Sequence, residues 1–237
     1  MTTADPAKGD NKTRGRSKRE PALEGGSERN ADTGRAGIVL AGGRSKRFPT
    51  VDKAVAPLDG TPLLRHAVST LEPAVDQLII NCRKDQREPF AEVLREFDVW
   101  FVFDSIPDRG PLVGLETALS ATGATYAAVL SCDMPLVPAA FVDVLFSRAR
   151  NRTGAVAQLD GQPQPFPAVV HVRAAEAACT EAAQRNTSRL DEFISILDPV
   201  VLPERAVLAH VDRRAFTDIN THEDLATARN DLLQTKQ

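Results

Sequence analysis

The chain has 237 residues, 42% of them hydrophobic and 26% charged, with a formal net charge of −3. That length suits one sizeable α/β domain with a real core, and the slightly acidic balance excludes a general attraction for nucleic acid, so any anion site has to be a local gathering of cations. No apolar run approaches the ~20 residues of a membrane span. Cys82, Cys132 and Cys179 stand apart and outside any CxxC pattern, which argues against a disulfide framework or structural zinc and for a reducing, cytoplasmic setting.

Residues 1–34 mix Lys12, Arg14, Arg16, Lys18 and Arg19 with Glu20, Glu24, Glu28 and Asp32, and have almost no sizeable apolar side chain besides Leu23. They read as a disordered charged tail, lacking the apolar centre of a secretory signal. From Ala36 onward, short apolar runs alternate with amphipathic segments, the pattern of a mostly parallel sheet covered by helices on both faces.

The first strand, 38–40, empties into Ala41-Gly42-Gly43 and a basic loop that carries Arg44, Lys46, Arg47 and Lys53. The glycines allow a sharp turn and a close approach to a ligand, and the cations stand beside backbone amides able to face a triphosphate. Residues 55–58 read as a short extended piece, 59–60 as a turn, 62–71 as a helix, 77–82 as a second strand, 86–97 as a helix and 100–103 as a third strand. Asn81 and Asp104 thus fall at strand carboxyl ends, where open α/β sheets bind ligands.

The loop Asp108-Arg-Gly-Pro-Leu-Val-Gly114 leads into a helix over 112–120. A fourth strand, 126–130, runs into Ser131-Cys132-Asp133-Met134-Pro135, and Asp133 is the only acid between Glu116 and Asp143. A carboxylate there suits magnesium, which takes one or two carboxylates plus phosphate oxygens and waters; Asp is also a common cap for a following helix, here 138–150. Further on, 154–158 and 166–172 form a hairpin-like insertion around Asp160-Gly161, 174–184 and 190–197 are helices, and 207–211 an edge strand. After 216–219, Asn220-Thr221 caps a last helix to 233 that packs back on the sheet. His66, His171, His210 and His222 show no metal-ligand spacing.

Taken together, Leu-Ala-Gly-Gly-x-Ser-x-Arg-Phe with Asp52-Lys53, Gly110-Pro111-Leu112-x-Gly114, Cys132-Asp133-Met134-Pro135 and Asn220-Thr221 resemble the molybdenum cofactor guanylyltransferase family over residues 36–230. The first motif is shared by many nucleotidyltransferases; the Gly-Pro-Leu-x-Gly loop and the compact length sharpen the likeness. The resemblance implies a Rossmann-like three-layer α/β/α nucleotidyltransferase domain over 35–237. It also implies nucleotide contacts from Leu40, Ala41, Gly42, Gly43, Lys53, Asn81, Asp104 and Asp133, magnesium on Asp133, and catalytic roles for Lys53, Arg47 and Asp133.

The implied reaction moves GMP from GTP to molybdopterin, with molybdenum-insertion proteins or apo-molybdoenzymes as protein partners and no nucleic acid or membrane involved. Pro49 departs from the family, which usually has glycine directly after the position of Phe48; proline offers no amide hydrogen there. Arg109, Pro165, Phe166 and residues 186–189 are candidates to line the acceptor pocket. Alternatives are a nucleotidyltransferase acting on adenosylcobinamide phosphate or a sugar phosphate, a molybdopterin cytidylyltransferase, or a non-catalytic nucleotide-binding adaptor.

Overall fold

The computed structural model describes residues 34–43, 52–104 and 110–235, with side chains as far as residue 230. The expected charged tail, the loop cations Arg44, Lys46 and Arg47, Pro49 and Arg109 lie outside the described residues. No helix among those described is long and apolar enough to cross a membrane.

In chain order the elements are β1 (Arg35–Leu40), β2 (Pro57–Leu58), β3 (Thr61–Pro62), α1 (Leu63–Leu71), β4 (Gln77–Cys82), α2 (Arg87–Val93), β5 (Val99–Phe103) and α3 (Pro111–Leu119). They continue as β6 (Tyr126–Ser131), α4 (Ala139–Ala149), β7 (Gly154–Leu159), β8 (Gln162–His171), α5 (Val172–Gln184), α6 (Leu190–Leu197), β9 (Val200–Leu202), α7 (Glu204–Val207) and α8 (His222–Thr235). Among the described residues the main sheet has seven strands in the order β5-β4-β1-β6-β8-β7-β9. Its first four are mutually parallel, and β8 runs antiparallel to both β6 and β7.

The chain moves from β1 outward through β4 to β5, then returns to the other side of β1 as β6. That reversal opens a crevice at the carboxyl ends of β1 and β6, the position at which doubly wound sheets take ligands.

Strand residues divide between the two faces as a pleat requires. Val39, Leu78, Ile80 and Leu130 pack with Leu64, Val68 and Leu71 of α1, Phe90 of α2 and Phe141 and Leu145 of α4. Ile38, Ile79 and Val129 pack on the opposite face with Leu115 and Leu119 of α3, Ala175 and Cys179 of α5 and Phe193 and Leu197 of α6. Both faces being covered explains why these strands read as continuous apolar runs rather than alternating ones.

The three-layer α/β/α architecture is the expected one, with four local differences. The second helix is shorter than 86–97: α2 ends at Val93, and Leu94 to Phe97 form a closing turn. The hairpin is present, but it is part of the main sheet, because β8 hydrogen-bonds along β6. Residues 207–211 are not an edge strand. The edge is β9, which pairs with β7, whereas the Pro203 carbonyl accepts from the amides of Ala206 and Val207 to start the short helix α7, whose Val207 turns into the core. Finally, α8 packs against the small β2–β3 hairpin, where Leu58, Leu63, Ile219 and Ala228 form a satellite core, instead of covering the main sheet.

Candidate active site

Asp52 and Lys53 are placed by a local cap. The Asp52 backbone is extended, and its Oδ1 accepts from the amide of Ala54 at 3.0 Å, starting a single 3-10 turn over Lys53–Val55. Ala54 is buried under that turn, so Lys53 is directed across the crevice, where its Nζ donates to Asp133 Oδ2 at 2.6 Å and to Asn220 Oδ1 at 3.0 Å. Asp133 lies two residues past the end of β6 and does not cap α4, whose cap position is Pro138. The structure thus brings together residues 80 and 167 positions apart in the chain.

The Lys53 and Asp133 side chains are each only 16% exposed, so their ion pair is largely shielded from water. Asp133 Oδ1 is buried and has no hydrogen-bond partner. Buried acceptors are almost always satisfied, and an unsatisfied carboxylate oxygen has unused capacity for a cation or a donor. Asp218 stands close enough for the Asp133 charge to act on it: desolvation first, and repulsion from Asp133 second, raise its carboxyl to about 6, opposed by Lys53. The residue as a whole is exposed, so it is the carboxyl group that is desolvated.

Asp218 was not among the sequence candidates, although it lies two residues before Asn220. Its raised pKa beside a second carboxylate is the pattern that marks functional acids.

On the other side of β1, Asn81 is 3% exposed and donates through Nδ2 to Asp104 Oδ1 at 2.7 Å. Gly114 makes room for this amide: a Cβ there would lie 2.3 Å from Asn81 Oδ1. At Gly110, φ is +91°, a conformation that favours glycine, and Pro111 then starts α3 with its fixed φ. A Cβ on Gly110 would also meet Ser188 at 3.5 Å, which brings the 186–189 candidate segment beside this loop. Neither Gly42 nor Gly43 has a positive φ, and a Cβ at Gly43 would meet nothing within 4 Å. Gly43 thus borders open space, whereas a Cβ on Gly42 would touch Asn81 Oδ1 at 3.5 Å and come within 4.0 Å of Asp104, which puts Gly42 against the Asn81–Asp104 pair.

The ends of the basic loop are gripped by residues the sequence reading passed over. Arg83 Nη1 donates to the carbonyls of Gly42 at 3.1 Å and Gly43 at 2.9 Å, and Gln86 Nε2 donates to Asp52 Oδ2 at 2.6 Å and to the Ala41 carbonyl at 3.2 Å. Gln86 opens the expected helix 86–97 and Arg83 lies in the link before it; the signal for them is a pair of polar side chains just after a strand's carboxyl end.

The thiols take no part. Burial pushes Cys82 and Cys179 up to about 12, and pushes Cys132, next to Asp133, up as well. A separate cleft of about 1130 Å³ lies at the opposite edge of the sheet, lined by Arg35, Tyr126, Arg152 and His171 among others, and none of the residues above reaches it.

A mostly parallel α/β sheet whose carboxyl edge gathers a glycine segment, a lysine, a partly unsatisfied aspartate and a part-buried Asn–Asp pair is the arrangement of a nucleotidyltransferase. Residues 37–199 match the MobA-like NTP transferase domain, and the chain belongs to that family.

It is 52% identical over 199 residues to a probable molybdenum cofactor guanylyltransferase of Haloferax mediterranei, covering 84% of this chain and 95% of that one. It is 34% identical over 194 residues to the molybdenum cofactor guanylyltransferase of Burkholderia lata, covering 81% and 88%. The crystal structure of molybdopterin-guanine dinucleotide biosynthesis protein A from Archaeoglobus fulgidus shares the fold, with a TM-score of 0.69 at 21% identity, over 84% of this chain and 99% of that one.

Nucleotidyltransferases generally use a divalent metal, and the donor set here suits one. Asp133 offers a buried oxygen without a partner, and Asp218 is a second carboxylate beside it. Among the described residues no group of three or more His, Cys, Asp or Glu side chains is placed to hold a metal ion.

Proposed function

We propose that this protein transfers GMP from GTP to the phosphate of molybdopterin, releasing pyrophosphate and forming the guanine dinucleotide cofactor. The observation that carries the reading is the Lys53–Asp133 pair with its spare carboxylate oxygen at the switch point, in a chain half identical to a protein bearing that name.

In the proposed reaction an oxygen of the acceptor phosphate attacks the α-phosphorus of GTP, the bond from that phosphorus to the bridging oxygen breaks, and pyrophosphate carries the electron pair away. The acceptor is already ionised, so no base-activated Ser or Cys nucleophile is required, in keeping with the buried, un-ionised thiols. What remains for the protein is alignment and positive charge where negative charge accumulates. Lys53, fixed by Asp133 and Asn220, provides one cation at a set position, and Arg47 from the basic loop supplies a second.

Asp133, with Asp218 beside it, would hold Mg2+, which when bound neutralises phosphate oxygens and fixes the α-phosphate for in-line displacement. Leu40, Ala41, Gly42 and Gly43 border the nucleotide. Asn81 and Asp104 read the base, a carboxylate acceptor suiting the two N–H groups on guanine's Watson–Crick edge. Apo-molybdoenzymes are the proposed recipients of the product, in the cytoplasm.

The test is incubation with molybdopterin and an equimolar mixture of GTP, CTP, ATP and UTP, with the product identified by mass spectrometry. The guanine dinucleotide is expected; a cytosine dinucleotide, or nucleotidyl transfer to cobinamide phosphate but not molybdopterin, would replace this reading with a sister activity.

A further inference from the structure

We propose that Arg83 and Gln86 are positioning residues that hold the Gly42–Gly43 segment and the Asp52–Lys53 turn in place together, the two described flanks of residues 44–51. The inference rests on the nucleotidyl-transfer reading of the site and adds to it a device nothing in the motifs assigns.

Among the described residues, Arg83 and Gln86 are tied to both segments by hydrogen bonds. Arg83 has five N–H donors. Nε and Nη2 each donate to Asp85 at 3.2 Å, Nη1 donates twice, to the Gly42 and Gly43 carbonyls at 3.1 and 2.9 Å, and the remaining Nη2 proton goes to Asp52 Oδ2 at 3.4 Å. Every donor is spent on protein, so Arg83 has none left for a phosphate despite its place beside the glycine segment.

Gln86, 2% exposed, is equally saturated: Nε2 donates to the Ala41 carbonyl and to Asp52 Oδ2, and Oε1 accepts from the Arg83 amide at 2.8 Å. The carbonyls of Ala41, Gly42 and Gly43 therefore all point toward the β4 side. Asp52 is held through Oδ2 while its Oδ1 caps the turn that aims Lys53 at Asp133.

A fork is needed for this geometry, because one planar guanidinium reaches two successive carbonyls and a carboxylate, whereas an ammonium is a point charge. Arg83→Lys separates the two explanations. If Arg83 only lends positive charge to the phosphate region, lysine restores function; if it positions the loop, lysine fails much as Arg83→Gln does.

The experiment measures amide hydrogen exchange across residues 41–56 in the nucleotide-free full chain, and the Kd for GTP, for wild type, Arg83→Gln, Arg83→Lys, Gln86→Leu and the remote surface control Arg65→Gln. The expected result is exchange at the Gly42, Gly43 and Ala54 amides at least about tenfold faster in the first three variants, with Arg65→Gln unchanged. Their GTP Kd is expected to rise by about tenfold.

Unchanged exchange in folded Arg83→Gln and Gln86→Leu, or full restoration of both readouts by Arg83→Lys, overturns the proposal. Should Gln86→Leu fail to fold, Arg83→Gln and Arg83→Lys decide alone. The exchange readout needs no nucleotide, so an enzyme preferring another nucleotide would overturn the guanylyl reading while leaving this result standing.

Discussion

Two polar clusters flank the basic loop, and they are built on opposite plans. Around Arg83, Gln86 and Asp52 each donor of the two long side chains meets an acceptor and nothing is left over. Around Asp133 a carboxylate oxygen is buried without a partner and a second acid is held with its ionisation discouraged. A closed network specifies geometry, and an open one in a crevice is unfinished until a ligand arrives. The contrast assigns scaffold to the first cluster and chemistry to the second, although they are joined through chain neighbours, Asp52 in the first and Lys53 in the second.

The largest effect is expected at the open cluster. Asp133→Asn removes the carboxylate that pairs Lys53 and offers the spare oxygen, and kcat should fall by about 100-fold or more in a pyrophosphate-release assay, the range typical for loss of a charge-stabilising group. Lys53→Ala should cost about 10- to 100-fold in kcat, which corresponds to roughly 1.4–2.7 kcal/mol of transition-state stabilisation. If either variant kept near-normal turnover, the division between the two clusters would have no meaning.

Gly114→Ala addresses the base-side wall. Its methyl would lie 2.3 Å from Asn81 Oδ1, so the amide or α3 has to shift. Overpacking of this kind costs about 1–3 kcal/mol, and calorimetry should show a lower Tm together with weaker GTP binding.

The smallest effect concerns pH. The Asp218 carboxyl is raised in the folded chain from 3.8 to about 6, so the native state holds more protons than the unfolded state between those values. Its contribution to stability is therefore fully present below about pH 4 and lost as pH rises through 6. Asp218→Asn should melt above wild type at pH 8 by roughly 2–4 °C, corresponding to about 1 kcal/mol after discounting for an exposed residue, and coincide with it below about pH 4. Thermal melts in metal-free buffer across that range check the sign.

The legible parts of the sequence were those written in local pattern. Strands buried on both faces are unbroken apolar runs, so 77–82 and 126–130 were readable nearly to the residue. The run 207–211 misleads because valine and leucine spacing alone does not distinguish a strand from a short helix; here Val207 closes a helical turn whose first bonds end on the Pro203 carbonyl.

Asp133, Asn81 and Asp104 stand out as polar groups at strand ends, and Lys53 as one of the cations after the Gly42-Gly43 pair. Arg83, Gln86 and Asp218 did not, because their roles exist only across the fold: Gln86 meets Ala41 and Asp52, 45 and 34 residues away. An arginine and a glutamine at the start of a helix look like solvated surface until the acceptors arrive.

The central claim, that the open cluster is where metal and nucleotide meet, is tested most directly by Mn2+ binding measured by electron paramagnetic resonance in the presence of GTP. Wild type and Arg83→Lys should both bind the ion with comparable capacity once saturated with GTP, and Asp133→Asn should lose at least about tenfold in Mn2+ affinity. Equal affinity in wild type and Asp133→Asn would contradict the account.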